Sequence, residues 1–160
     1  MTANEVRETA DWSSYGVMTW TRRDPVSLDD DPAYRPLIGK VLRTLQTLVV
    51  MDSKGGRTAK VLDIPGTARV PQLRDIPAKL PAYYYDGRVC GVFPAGGTVR
   101  VAHIERTQGY GAEFICISAE VMSEGPFKGG RVDIGALMVF HGPRMGFDDR
   151  YVEEEGLSWE

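Results

Sequence analysis

Residues 98–121 read TVRVAHIERTQGYGAEFICISAEV. The run TVRVAHIER alternates valines and an isoleucine with polar residues, the period of a half-buried strand. In AEFICISAEVM, Ile115, Ile117, Ala119 and Val121 point one way, and Phe114, Cys116, Ser118 and Glu120 point the other. Between the two runs, TQGYG is a glycine-containing turn. A strand pair with one apolar face needs an apolar layer to cover that face, so this stretch sets the fold class as β.

The same pattern extends outward. Towards the C-terminus, SEGPFKGGRV (123–132) is turn chemistry: Gly125-Pro126 breaks one strand, and Gly129-Gly130 lets the backbone re-enter the next. RVDIGALMVF (131–140) then predicts a strand with Val132, Ile134, Ala136, Met138 and Phe140 on one face, bent or bulged at Gly135. Towards the N-terminus, RVCGVF ends in the turn Pro-Ala-Gly-Gly. Before it, PGTARVPQLRDIPAKLPA (65–82) reads as a long extended connection with one helical turn, because its four prolines interrupt any longer element.

KVLRTLQTLVVMD alternates and then turns continuously apolar, and SKGG and RTAKVLDI follow it, a hairpin signal. A helix over residues 35–51 competes, with leucines at 37, 42, 45 and 48, but the Thr and Val content favours strand. The segment DPVSLDDDPAYRP (24–36) holds three prolines and four aspartates, which excludes a helix or a central strand and reads as a linker. The arm before it ends in GVMTWTRR, a short strand pattern.

Six or seven short strands with Gly/Pro turns and little helix predict a mainly β protein: a small closed or partly open β-barrel, OB-like or SH3-like. The expected organisation is an N-terminal arm and linker over 1–36, a barrel body over 37–147 and an acidic tail over 148–160. A chain of 160 residues is one domain and hides about 70% of its unfolded surface, so no disulfide or metal is needed for stability. Cys90 and Cys116, without a close spacing, read as reduced core residues. No apolar run reaches the roughly 18 residues of a membrane span. The N-terminus MTANEVRETADWSSYG lacks an apolar signal core, which predicts a cytoplasmic protein.

Charge is uneven along the chain. Residues 1–32 hold three arginines against seven acids and residues 148–160 one arginine against six, while residues 33–147 hold fifteen Lys and Arg against nine acids. A basic body with two acidic ends attracts a polyanion, and its tail competes for the same surface. The plainer reading is that exposed ends collect charge.

Catalytic signatures are missing. His103, His141, Cys90 and Cys116 are the only soft metal ligands, and no two of them stand at a spacing that pre-forms a zinc site. His103, within a strand, reads as a partly buried histidine satisfied by one neighbour. There is no Gly-x-Ser-x-Gly, and neither SKGGR nor PAGGT has phosphate-loop spacing. The expectation is a non-enzyme with no cofactor and no metal.

What the chain does carry is a set of cations interleaved with aromatics. Three tyrosines stand in a row at 83 to 85, and in an extended segment Tyr83 and Tyr85 share one face. Arg88, Arg100, Arg106, Tyr110, Phe127, Lys128 and Arg131 follow on strands and turns. Cations that track phosphates, with aromatic faces for bases, are what single-stranded nucleic acid requires. The competing reading is that the tyrosines cover a core edge and the cations keep the surface soluble.

From Phe93 to Phe140 the chain runs PAGGTVRVAHIERT, QGYGAEFICISAEVM and SEGPFKGGRV, then an apolar strand. This resembles the pattern of phage-type single-stranded-DNA-binding proteins of the oligonucleotide-binding barrel class. There a Pro-Ala-Gly turn opens a strand, and a Gly-Pro-aromatic-x-Gly turn with a cation leads into another. The tail FDDRYVEEEGLSWE is similar to the acidic C-terminal tails of such proteins. The resemblance covers about a third of the chain plus the tail. It implies single-stranded DNA binding, and partner recruitment by a tail with Glu153, Glu154 and Glu155 and an aromatic near its end, Trp159. A second reading is a structural subunit of a phage particle, a head-to-tail connector or tail component, whose partners are neighbouring protein subunits.

Overall fold

The computed structural model describes residues 23–53, 60–84, 87–109, 112–142 and 144–156. Among them are twelve strands: β1 (Arg23–Ser27), β2 (Val41–Thr44), β3 (Leu48–Ser53), β4 (Lys60–Asp63), β5 (Ala82–Tyr84), β6 (Gly87–Phe93), β7 (Thr98–Gly109), β8 (Ala112–Val121), β9 (Arg131–Asp133), β10 (Met138–His141), β11 (Arg144–Phe147) and β12 (Val152–Glu154). The described residues contain no α-helix, only three short 3₁₀ turns. The protein is mainly β, and its main sheet is curled into a half barrel.

The main sheet runs β12-β2-β7-β8-β9-β4-β3-β6-β5, and β10 and β11 form a separate two-stranded ribbon. Neighbours are antiparallel except β4 and β9, which are parallel. Strand β7 organises one half. Along one edge it pairs with β8 from Val99 to Gly109, while its other edge is shared between β2, at Thr98–Arg100, and β1, at Glu105–Gln108.

The β8 alternation is as the sequence predicts: Ile117, Ala119 and Val121 are buried and Phe114 is exposed. In β7 the alternation slips. A bulge between Val101 and His103 inserts Ala102, so that Ile104 rather than His103 rejoins Val99 and Val101 in the core. His103 is thereby turned to the outer face.

The continuously apolar LVVM of β3 has a simple cause. Leu48 and Val50 belong to the main core with Leu62, Ile104, Ile117 and Leu137. Val49 and Met51 belong to a second cluster with Val70 and Val89, packed against Ile76 and Leu80. The proline-rich connection, with its one 3₁₀ turn at Leu73–Asp75, is therefore a lid over the outer face of β3 and β6. A strand covered on both sides has no polar face to show.

The hairpin expected around SKGG is the β3–β4 pair, and the helix over 35–51 reduces to the single 3₁₀ turn Arg35–Leu37. The segment 24–36 does more than link. Its first residues complete β1, an edge strand whose register shifts between Arg23 and Val26, around Pro25, where a missing N–H costs no ladder bond. Leu28 then sinks into the core at 4% exposure. The arm pattern GVMTWTR lies outside the described residues.

RVDIGALMVF is not one strand. It breaks at the turn Gly135–Leu137, which shifts the phase: Leu137 is buried, whereas Ala136 and Phe140 are exposed. Residues 152–154, set apart above with the acidic tail, are the edge strand β12. Val152 is buried, Arg43 pairs with Glu153, and Lys40 pairs with Glu154 at 2.7 Å.

Thr44 ties β2 to the Pro-Ala-Gly-Gly turn. Its hydroxyl donates to the Pro94 carbonyl (3.0 Å), its N–H donates to the Gly97 carbonyl, and its own carbonyl accepts from the Gly96 N–H. Gly96 takes φ +89°, which a side chain would strain.

Candidate binding surface

The predicted binding residues fall into separate groups. Tyr83 stands directly opposite Arg88 in the β5–β6 pair, and the same row continues through Asp52 to Lys60. These side chains alternate with Tyr84, Val89 and Met51 of the second cluster, so they line the inner face of the sheet. The Arg88 guanidinium donates to Asp52 Oδ2 at 2.6 Å, and that bond raises its already high pKa.

Arg100 and Arg131 lie on the outer face, on either side of Glu120 in one row across β7, β8 and β9. Arg100 donates to Glu120 at 2.8 Å, and Arg131 donates to the Ser118 hydroxyl at 3.3 Å. Arg106 sits near the far end of β7, opposite Ile115 and Val26. Tyr85, Tyr110 and Trp159 lie outside the described residues.

Phe127 and Lys128 belong to the SEGPFKGGRV turn. The loop is closed by two bonds at its neck, from the Val121 N–H to the Gly130 carbonyl and from the Gly129 N–H to the Val121 carbonyl, both 2.9 Å. Lys128 pairs with Glu124. Phe127 is a plug: it packs against the main core and lies over Gly91, where a Cβ would come within 2.9 Å of its ring. Replacing Phe127 with alanine is therefore expected to lower stability by about 1.5–3 kcal/mol, read by urea melts. A loss below about 0.5 kcal/mol would show that the ring contributes little to the main core.

The acidic residues of the C-terminal segment are engaged too. Glu153 accepts two bonds from Arg43, whose pKa is raised by them, and the Glu155 N–H donates to the Val41 carbonyl. Asp148, almost fully buried, accepts a two-pronged contact from Arg150 at 2.9 and 2.7 Å that shapes the turn into β12.

Two arrangements escaped the sequence reading. The first is His103 with Asp29 and Glu105. Its Nδ1 lies 2.8 Å from Asp29 Oδ2 and its Nε2 3.1 Å from Glu105 Oε2. The bond to Asp29 raises the His103 pKa. Asp29 is held below its ordinary value, first by the Ile104 N–H that it accepts. The only trace in the sequence is the broken alternation at Ala102-His103.

The second is an exposed aromatic near each of three hairpin ends: Tyr83 (70% exposed) on β5–β6, Phe114 (50%) on β7–β8 and Phe140 (68%) on β10–β11. Among the described residues no three His, Cys, Asp or Glu side chains converge as metal ligands, and no helix is long and apolar enough to cross a membrane. No protein-family model, curated protein or solved structure matches the chain.

Proposed function

We propose that this chain is a non-catalytic assembly subunit that docks onto neighbouring copies of itself through the aromatic-bearing ends of its hairpins. The observation that carries this is the placement of Tyr83, Phe114 and Phe140, large rings held out at three hairpin ends. Buried aromatic anchors dominate the energy of protein interfaces. The pairing of Arg88, Arg100 and Lys128 with carboxylates supports the same reading, since mixed-charge rows suit a protein neighbour better than a polyanion.

Single-stranded nucleic acid on an OB-like or SH3-like barrel is the second reading. It is favoured by the row in which Tyr83 faces Arg88 and leads to Lys60. The exposed ion pairs are weak enough to open for a phosphate.

Sedimentation of the full chain over a range of concentrations, at low and high salt, separates the two. Assembly predicts species at multiples of 17.7 kDa that persist in high salt. Combined replacement of Tyr83, Phe114 and Phe140 with alanine should weaken association by about tenfold or more. A monomer at every concentration rejects the assembly reading. Binding of single-stranded DNA that falls steeply with salt establishes the second.

A further inference from the structure

We propose that His103 is a pH-sensitive clasp, which fixes the segment Arg23–Asp29 to β7 while its ring is doubly protonated and loosens it when the ring becomes neutral. The chemistry follows from the two contacts. A neutral imidazole carries one N–H, so in either tautomer one ring nitrogen turns a lone pair towards a carboxylate. Only the imidazolium donates to Asp29 and Glu105 together, at the observed 2.8 and 3.1 Å.

Asp29 is the hinge pin of the segment. Its Oδ1 accepts the Ile104 N–H at 2.8 Å while Oδ2 faces His103, and the Leu28 N–H donates to the Ile104 carbonyl at 2.8 Å. Beyond Leu28 the segment is held by the short β1 pairing of Ser27, Val26 and Arg23 with Glu105, Arg106 and Gln108. The clasp thus joins the two ends of a contact 74 residues apart in the chain.

Other groups around the ring leave these two carboxylates dominant. On β8, Ser118 stands opposite His103 and Cys116 opposite Glu105. On β9, Asp133 stands opposite Ser118 and spends Oδ1 on the Gly135 N–H at 2.8 Å, while Arg131 reaches the Ser118 hydroxyl. Arg100 is occupied by Glu120, and Lys40, beside the start of β2, by Glu154.

The pH window follows from the directions. His103 is raised above 6.5, so its contribution is whole below that value and is lost as pH rises through the raised one. Asp29 is lowered below 3.8, so its contribution is present above that value and is lost as pH falls through the lowered one. The clasp is closed in mildly acidic solution and opens towards alkaline pH. It stands whether or not the hairpin aromatics bind a neighbour.

Amide exchange of the full chain tests this, measured by NMR from about pH 5.5 to 8.5 and corrected for intrinsic rates. Protection at Leu28 and Ile104 should fall roughly threefold or more relative to Val50 as the His103 ring titrates, with a ring midpoint above about 6.5. His103→Gln should abolish the pH-dependent part of the fall. A midpoint at or below about 6.5, or protection at Leu28 and Ile104 that stays level through the titration, overturns the proposal. Should His103→Gln fail to fold, Glu105→Gln leaves Asp29 in place and must lower the midpoint; an unchanged midpoint overturns it equally.

Discussion

Replacing Ile117 with alanine is expected to cost about 2–5 kcal/mol, a large part of the roughly 5–15 kcal/mol that holds a domain of this kind folded. Ile117 is almost fully buried at the centre of the main core, paired across the strands with Ile104. Truncation removes three carbons from a site walled by two strands and the Ile134–Leu137 turn, which cannot collapse freely into the gap. The melting temperature should fall by about 2–4 °C per kcal/mol. Phe114→Ala, three residues away on the opposite face of β8, should change stability by no more than about 0.5 kcal/mol, because half of that ring is already in water. Equal losses at the two positions in urea melts would mean that the buried and exposed faces of β8 are assigned the wrong way round.

Gly97→Ala should be a damaging change despite its small size, because Gly97 is buried in the turn before β7. A Cβ there would meet the Phe93 ring at 2.4 Å, and Phe93 is itself buried in the main core, so the ring has no empty space to swing into. Overpacking of this kind costs about 1–3 kcal/mol. The Gly97 carbonyl also accepts the Thr44 N–H, so a shifted turn would loosen β2 as well. By contrast, no heavy atom lies within 4 Å of a Cβ built at Gly96, next door, where the demand is the positive φ. Alanine at 97 that melts with the parent would show that Phe93 is more mobile than its burial implies.

The β class was legible because β8 has one wet face and one dry face, which writes a period of two into Phe114–Val121. Where that asymmetry fails, so does the reading. In β3, Leu48 to Met51 are all apolar because a lid of Val70, Ile76 and Leu80 covers the second face, and periodicity cannot distinguish that from a helix. Gly135 was legible as an irregularity, but not the turn it opens, because a one-residue change of phase keeps the composition unchanged while exposing Phe140.

The binding surface was legible in its residues and not in its geometry. Arg88 and Arg100 look equivalent in sequence, yet they reach opposite faces, because the pairing of β6 with β3 shifts register between Val50 and Met51 and sets Arg88 opposite Asp52, away from the face of Val89 and Met51. That pairing joins residues far apart in the chain, and no local pattern encodes its shift. The clasp at His103 was hidden for the same reason, its partner Asp29 lying in a stretch of aspartates that composition alone assigns to a linker. In the C-terminal segment, the single valine among acids, Val152, was the residue that marked a strand rather than a tail.

The position of β2 has a consequence for how the chain is made. This four-residue strand lies between β7 and β12, so its two flanks are filled by residues 98–100 and 152–154. On a ribosome it emerges long before either. Until the last of them appears, one row of its backbone N–H and C=O groups is an open template for whatever strand comes near. Strand pairings this remote in sequence belong to folds that form in about milliseconds to seconds rather than microseconds. The acidic C-terminal strand, with Glu153 and Glu154 reaching for Arg43 and Lys40, is then the piece for which the nascent sheet waits, and its charge pairing selects the right edge when it arrives.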